Sequence, residues 1–185
     1  MTHKVCPWWL GYWLVCPMRC WWQDPKPIVA PYVRLGMTVL EPGPGMGFFT
    51  LELARLVGPS GRVVCVDIQR QMLDRLERRA AKAGLLDRLD SRLTTAESMG
   101  IADLAGTVDF TLAFAVVHEF PEAKNFFSEV AAASKPGAIV LLAEPFPHVK
   151  HDVFEAELQA AADCGLDLDS RPDIRRSLAV VLRKR

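Results

Sequence analysis

Residues 39–68 read VLEPGPGMGFFTLELARLVGPSGRVVCVDI, and this stretch decides the fold. A short apolar strand, Thr38–Glu41, runs into a loop of glycines and prolines. A helical pattern follows over Met46–Val57, with Phe49, Leu53 and Leu56 on one face. Gly58-Pro59-Ser60-Gly61 stops that helix. Arg62–Asp67 is a second strand, apolar at consecutive positions as a strand buried on both faces must be. Strand, helix and strand in this order form a βαβ unit with parallel strands.

The same alternation continues outward. Gln69–Ala83 reads as a helix with Met72, Leu76 and Ala80 on its apolar face and Gly84 as its cap. Strands are expected at Asp90–Thr94, Val108–Phe114 and Ala138–Ala143. Pro121 opens a helix that reaches about Ser134, and Pro136-Gly137 ends it. A helix over Lys150–Asp163 turns Phe154, Leu158 and Ala161 inward. Leu166–Ser170 and Leu178–Leu182 close the chain as strands, and the RPDIRRS link between them is too short for a crossover helix. The expected architecture is therefore α/β and doubly wound. Its sheet is parallel through five strands and antiparallel at one edge.

Composition agrees with one globular domain. The chain has 185 residues, 50% hydrophobic and 24% charged, which excludes disorder. Lys+Arg and Asp+Glu are both 22, so the net charge is zero and binding of nucleic acid through phosphate neutralisation is not expected. No apolar run reaches the ~18 residues of a membrane span. Five cysteines in no regular framework argue for a reducing cytoplasm rather than a disulfide scaffold. Cys65 and Cys164 read as small core residues.

The N-terminal part stands apart. All five tryptophans, Trp8, Trp9, Trp13, Trp21 and Trp22, lie there with Cys6, Cys16 and Cys20. Residues 1–27 read as a lid over an apolar cleft of a domain spanning 28–185. Peripheral membrane contact through residues 5–22 and a homodimer contact are the competing readings. The cysteine spacing is not that of a zinc knuckle, so no metal site is assigned. A soft metalloid held by these thiolates stays open.

The chemistry is carried by the first loop. Gly43 can turn tightly off the strand, Gly45 admits a ligand close to the backbone, and Gly47 allows close packing of helix on strand. Asp67 ends the second strand, where a carboxylate can accept hydrogen bonds from both hydroxyls of a ribose. Glycines and acid together suit an adenosine-containing cofactor. The G-x-G-x-G spacing differs from the G-x-G-x-x-G of dinucleotide folds.

Taken together, the run from Val39 to Ile68, VDFTLAFAVVHEF and KPGAIVLLAEP resemble the class I S-adenosylmethionine-dependent methyltransferases over residues 28–185. The resemblance implies a seven-stranded Rossmann-like sheet in the order 3-2-1-4-5-7-6 and S-adenosylmethionine as cofactor. It implies that Glu41 and the backbone around Gly43 and Gly45 face the methionine end, with Asp67 on the ribose and Ile68 against adenine. Thr95, Ala96 and Glu97 lie where the family has an acid-Ala pair for the adenine amino group, with Thr95 in place of the acid. Phe114 and Ala115 would line the cofactor below the methyl.

Catalytic candidates follow the fourth and fifth strands. His118 and Glu119 lie just past the fourth, and a neutral His there can take a proton from the acceptor. Glu144, just past the fifth, is a polar contact for substrate. The expected reaction is in-line methyl transfer to a small-molecule acceptor in the cytoplasm. A nicotinamide-dependent oxidoreductase and a non-catalytic cofactor-binding module are the alternatives. The charged face of Arg70, Arg75, Glu77, Arg78 and Arg79 reads as a solvated helix surface.

Overall fold

A computed structural model describes residues 23–185. The membrane-contact reading, Cys6, Cys16 and Cys20, and the lid segment 1–27 as far as residue 22 lie outside the described residues; the rest of that segment enters a short helix that runs on past residue 27. In chain order the elements are helix α1 (Pro25–Val29), strand β1 (Thr38–Pro42), α2 (Thr50–Val57), β2 (Arg62–Asp67), α3 (Arg70–Lys82) and β3 (Leu89–Leu93). Then come β4 (Val108–Phe114), α4 (Ala123–Ala133), β5 (Ser134–Pro145), α5 (His151–Asp163), β6 (Leu166–Ser170) and β7 (Ser177–Lys184). The seven strands form one sheet in the order β3-β2-β1-β4-β5-β7-β6.

The described chain divides into two compact units, residues 23–94 and 95–185. In the first, β1, β2 and β3 pair in parallel, with Glu41 opposite Cys65 and Val63 opposite Leu89. The central strand β2 is buried from Val63 to Asp67, as a strand covered on both faces requires. Helix α3 lays Met72, Leu73, Leu76 and Ala80 inward and closes on Gly84 with φ 67°. Its buried stripe keeps the 3.6-residue period.

In the second unit β4 and β5 are parallel, and β7 runs antiparallel to both β5 and β6. The six residues 171–176 join β6 to β7, which forces the reversal. Its core is built on Phe110, Phe126, Phe127, Phe154 and Leu141, all fully buried.

Three sequence expectations need correction. Helix α2 starts at Thr50 rather than Met46, because Gly45 and Gly47 take positive φ and hold the chain in turns. Pro121 does not open α4: the chain stays extended through Glu122 and the helix begins at Ala123. Pro136-Gly137 does not form a loop after α4. Strand β5 begins directly at Ser134, and both residues lie where the β4–β5 register shifts between Val108 and Phe110, a position that tolerates proline.

Candidate functional site

The glycine loop is built within residues 23–94. Glu41, next to last in β1, is 3% exposed. The Gly43 N–H donates to the Val66 carbonyl at 2.9 Å, tying the loop to β2. Gly43, Gly45 and Gly47 have φ of 64°, 54° and 84°, the left-handed region in which a side chain is strained. A Cβ on Gly45 would stand in open space, so the backbone there is accessible to a ligand. Gly47 differs from expectation. A Cβ there would come 2.5 Å from Leu76 Cδ1 of α3, so the close packing it permits is against that helix and not against the strand.

Gly47→Ala therefore combines backbone strain with overpacking. It is expected to lower stability by about 1–3 kcal/mol, read as a fall in Tm. An unchanged Tm would remove this account of the loop.

The Glu41 carboxyl carries the main electrostatic tension of this unit. Its Oε2 is buried with no hydrogen-bond partner among the described residues. Burial pushes its pKa from 4.5 up to about 7, and the nearby Thr50 hydroxyl offsets part of that rise. Burial likewise pushes the Cys65 thiol up, and Glu41 and Asp90 add to it, so Cys65 is the core residue expected.

Asp67, 8% exposed at the end of β2, accepts the Gln69 N–H on Oδ1 at 2.8 Å, and its carbonyl accepts the Thr94 N–H. Ile68 is exposed beside it. From α3, Arg79 Nη1 donates to the Met46 carbonyl in the glycine loop. Arg79 is thus no bystander on a solvated face, and the sequence reading missed it.

The second cluster lies within residues 95–185. Thr95, Ala96 and Glu97 are exposed, and the turn after them is anchored by Glu129 of α4. The Glu129 carboxylate accepts the Met99 N–H at 3.1 Å and the Ser98 hydroxyl at 3.2 Å. Phe114 is half-buried at the end of β4. Ala115 adopts φ 56° while its N–H donates to the Ala143 carbonyl at 2.7 Å. A non-glycine residue held there costs about 1–3 kcal/mol, a strain that clusters at functional sites.

Register explains what happens next. Phe114 pairs with Ala143, so Glu144 stands one residue past the pairing, level with the turn Val117–Glu119. Glu144 is fully buried. Its Oε1 accepts the Val117 N–H at 2.7 Å, and its Oε2 lies 2.5 Å from His118 Nδ1. Two expected residues from the carboxyl ends of neighbouring parallel strands thus form a hydrogen-bonded pair.

Burial alone lowers the His118 pKa, but the Glu144 hydrogen bond and the charges of Glu144, Glu119 and Glu157 outweigh it, so the value is raised above 6.5. With Nδ1 committed to Glu144, the neutral ring carries its lone pair on Nε2. No hydrogen bond among the described residues occupies that atom. The His148 ring packs edge-on against it, with centroids 5.1 Å apart. Glu119, half-buried, adds its charge to the rise in the His118 pKa.

Helix α5 differs from expectation in one residue that matters. Its buried face is Phe154, Glu157 and Ala161, with Leu158 only half-buried. Cys164, at the cap of that helix, is also half-buried rather than core. Among the described residues no group of three His, Cys, Asp or Glu side chains is placed to hold a metal ion, and no helix is long and apolar enough to cross a membrane.

Residues 40–142 match a family described as "Methyltransferase domain". An arsenite methyltransferase of Halobacterium salinarum is 30% identical over 129 residues, covering 67% of this chain and 32% of that protein. A ubiquinone/menaquinone biosynthesis C-methyltransferase of Klebsiella pneumoniae is 32% identical over 113 residues, covering 60% of this chain and 44% of that protein. The chain spans less than half the length of these curated relatives.

A SAM-dependent methyltransferase from Aquifex aeolicus shares the fold, with a TM-score of 0.83 at 23% identity over 97% of this chain and 98% of that one. The family match takes in more than half of the sequence and displaces the nicotinamide alternative. From the glycine loop through the fifth strand, the chain belongs to the class I S-adenosylmethionine-dependent methyltransferases.

Proposed function

We propose that the chain transfers the methyl group of S-adenosylmethionine to a small-molecule acceptor whose nucleophilic atom arrives protonated, with His118 as general base. The observation that carries this reading is the His118–Glu144 pair, with Nδ1 held by a buried carboxylate and Nε2 left for the acceptor. A methyl acceptor that is already a free nucleophile needs no such base.

The residues present fit the cofactor. The orphaned Glu41 Oε2 suits its ammonium, and the open backbone at Gly45, with Gly43 and Gly47 shaping the loop, suits its methionine chain. Asp67 suits the ribose hydroxyls and Ile68 the adenine face. For Thr95, Ala96 and Glu97 at the adenine edge, and for Phe114 and Ala115 below the methyl, the assignment rests on the family resemblance. When bound, the cofactor supplies a sulfonium methyl that is electrophilic without further activation. His118 Nε2 takes the proton of an acceptor hydroxyl or acidic C–H. Glu144 holds the ring in register and offsets the imidazolium that forms.

One relative is named for arsenite and another for ubiquinone and menaquinone biosynthesis, so the test uses both chemistries. The full chain is incubated with methyl-labelled cofactor and a phenol, a reduced quinone or arsenite. Label in the phenol or quinol, lost in His118→Ala, is the expected result. Transfer that is indifferent to His118→Ala, or confined to arsenite, would overturn the reading. Tight cofactor binding without transfer to any of them would leave a non-catalytic module.

Asp67→Ala is expected to weaken binding of the cofactor about 10–100-fold by calorimetry, the worth of one or two hydrogen bonds to a charged group. Affinity within twofold of the parent would detach Asp67 from the ribose.

A further inference from the structure

The glycine loop is tied down from two elements. At its start the Gly43 N–H donates to the Val66 carbonyl of β2 at 2.9 Å. Within the loop the Gly47 N–H donates to the Pro44 carbonyl at 3.0 Å, closing a turn around Gly45. Near its end the Met46 carbonyl accepts a hydrogen bond from Arg79 Nη1, which arrives from the third turn of α3.

Helix α3 carries five basic side chains, Arg70, Arg75, Arg78, Arg79 and Lys82. Four are exposed and Arg79 is half-buried. A second observation places the same guanidinium on the loop: a Cβ added to Gly47 would stand 3.8 Å from Arg79 Nη1. The helix that delivers it is itself fixed. Asp67 Oδ1 accepts the Gln69 N–H at its start at 2.8 Å, and Met72, Leu73, Leu76 and Ala80 are buried along its length. The loop, by contrast, places three glycines at positive φ within five residues, so it keeps one shape only where contacts impose it.

The geometry points to Arg79 as a positioning residue for the cofactor: by donating from α3 to the Met46 carbonyl, it holds the glycine loop in the shape that receives the methionine chain of S-adenosylmethionine. The inference rests on the reading that this loop takes the methionine chain. With the Met46 carbonyl held toward α3, the turn from Pro44 to Gly47 is formed before the cofactor arrives, and binding carries less ordering cost. Without the guanidinium the loop samples other shapes, and ligands that reach it bind more weakly. Asp67 and Ile68 lie outside the loop, and the Gln69 N–H bond that fixes the start of α3 does not involve Arg79. Ligands confined to ribose and adenine are therefore unaffected.

The test uses the full chain and calorimetry, direct or by displacement. It compares S-adenosylhomocysteine with methylthioadenosine, which keeps the adenosine and the sulfur but lacks the amino-acid end. Arg79→Met keeps most of the apolar stem and loses the donor. It is expected to bind S-adenosylhomocysteine about tenfold more weakly and methylthioadenosine within about twofold of the parent. Arg79→Lys still offers a donor to a single carbonyl and is expected to recover most of the loss. A merely structural role would lower both affinities together or neither.

An unchanged affinity for S-adenosylhomocysteine in Arg79→Met, an equal loss for both ligands, or a loss that Arg79→Lys does not relieve overturns the inference. Glu41→Gln separates that failure from failure of the loop reading. If Glu41→Gln weakens S-adenosylhomocysteine binding and Arg79→Met does not, only the role of Arg79 fails. If neither variant changes it, the methionine chain does not lie on this loop and both fail.

Discussion

Replacing His118 by Ala is expected to lower kcat for a proton-bearing acceptor by roughly 10²–10⁴, the range that a positioned general base contributes. Cofactor affinity should stay within about twofold, because none of the groups assigned to the cofactor is altered. The Glu144 carboxylate is fully buried and fixes Nδ1, so the ring cannot swing away from the direction in which Nε2 faces.

Glu144→Gln should act in the same direction through the ring it holds. Without the carboxylate charge, the rise in the His118 pKa loses its main supports. In the parent that rise places the acid limb of kcat above pH 6.5, since a base must be unprotonated to work. Single-turnover transfer from methyl-labelled cofactor measures the chemical step without product release. A His118→Ala variant that keeps more than about a tenth of the parent rate would remove His118 from the chemistry.

The second large effect concerns Glu41 and the stability of the apo protein. Its carboxyl ionises near 4.5 when unfolded and near 7 when folded. Between those values the folded chain holds a proton that the unfolded chain has lost, so stability falls as pH rises through that window and levels off above it. A displacement of this size corresponds to about 3 kcal/mol.

Glu41→Gln removes the titration but keeps the shape. It is expected to melt higher than the parent at pH 8 and close to it at pH 4.5, with the difference opening across the window. Glu157 contributes a slope of the same sign toward about 8, which this variant leaves in place. The same variant should bind S-adenosylmethionine about 10–100-fold more weakly, because the charge suited to the ammonium is gone. Melting curves at the two pH values decide the first part and calorimetry the second. A variant no more stable than the parent at pH 8 would show that the buried carboxylate carries no such cost.

On the proposed role, Glu41 pairs an apo-state cost with a gain on binding. A buried acid with an unpartnered oxygen weakens the fold, and a cationic ligand group that meets it restores what was lost. Such local destabilisation is found at sites that wait for a ligand.

Much of the architecture was legible because it is local. The bounds of β2 and β4 follow from apolar runs between turn residues, and both agree with the structure, as do those of β6. The stripe Met72, Leu76 and Ala80 follows from helix period alone and is buried as expected. The errors sit where a neighbour overrides a local preference. Met46–Phe49 has helical residues but is held in turns by the glycines around it and by Arg79, which arrives from 33 positions away. Pro136-Gly137 has the chemistry of a loop but lies in β5, because the strand pairs from Ser134 onward.

The site divides along the same line. Glu41 and the glycines are neighbours in one loop and Asp67 ends the next strand of the same βαβ unit, so the sequence by itself determined the family to which the chain belongs. His118 and Glu144 are 26 residues apart, and their meeting follows from the pairing of Phe114 with Ala143, which no periodicity encodes. Glu157 occupies a core position of α5, three residues after Phe154 and four before Ala161, yet its charge argued for solvent. Only the tertiary structure decided that it is buried. Backbone propensity and hydrophobic period act within a few residues of the chain. The burial of a charge and the company it keeps depend on which strands and helices come together.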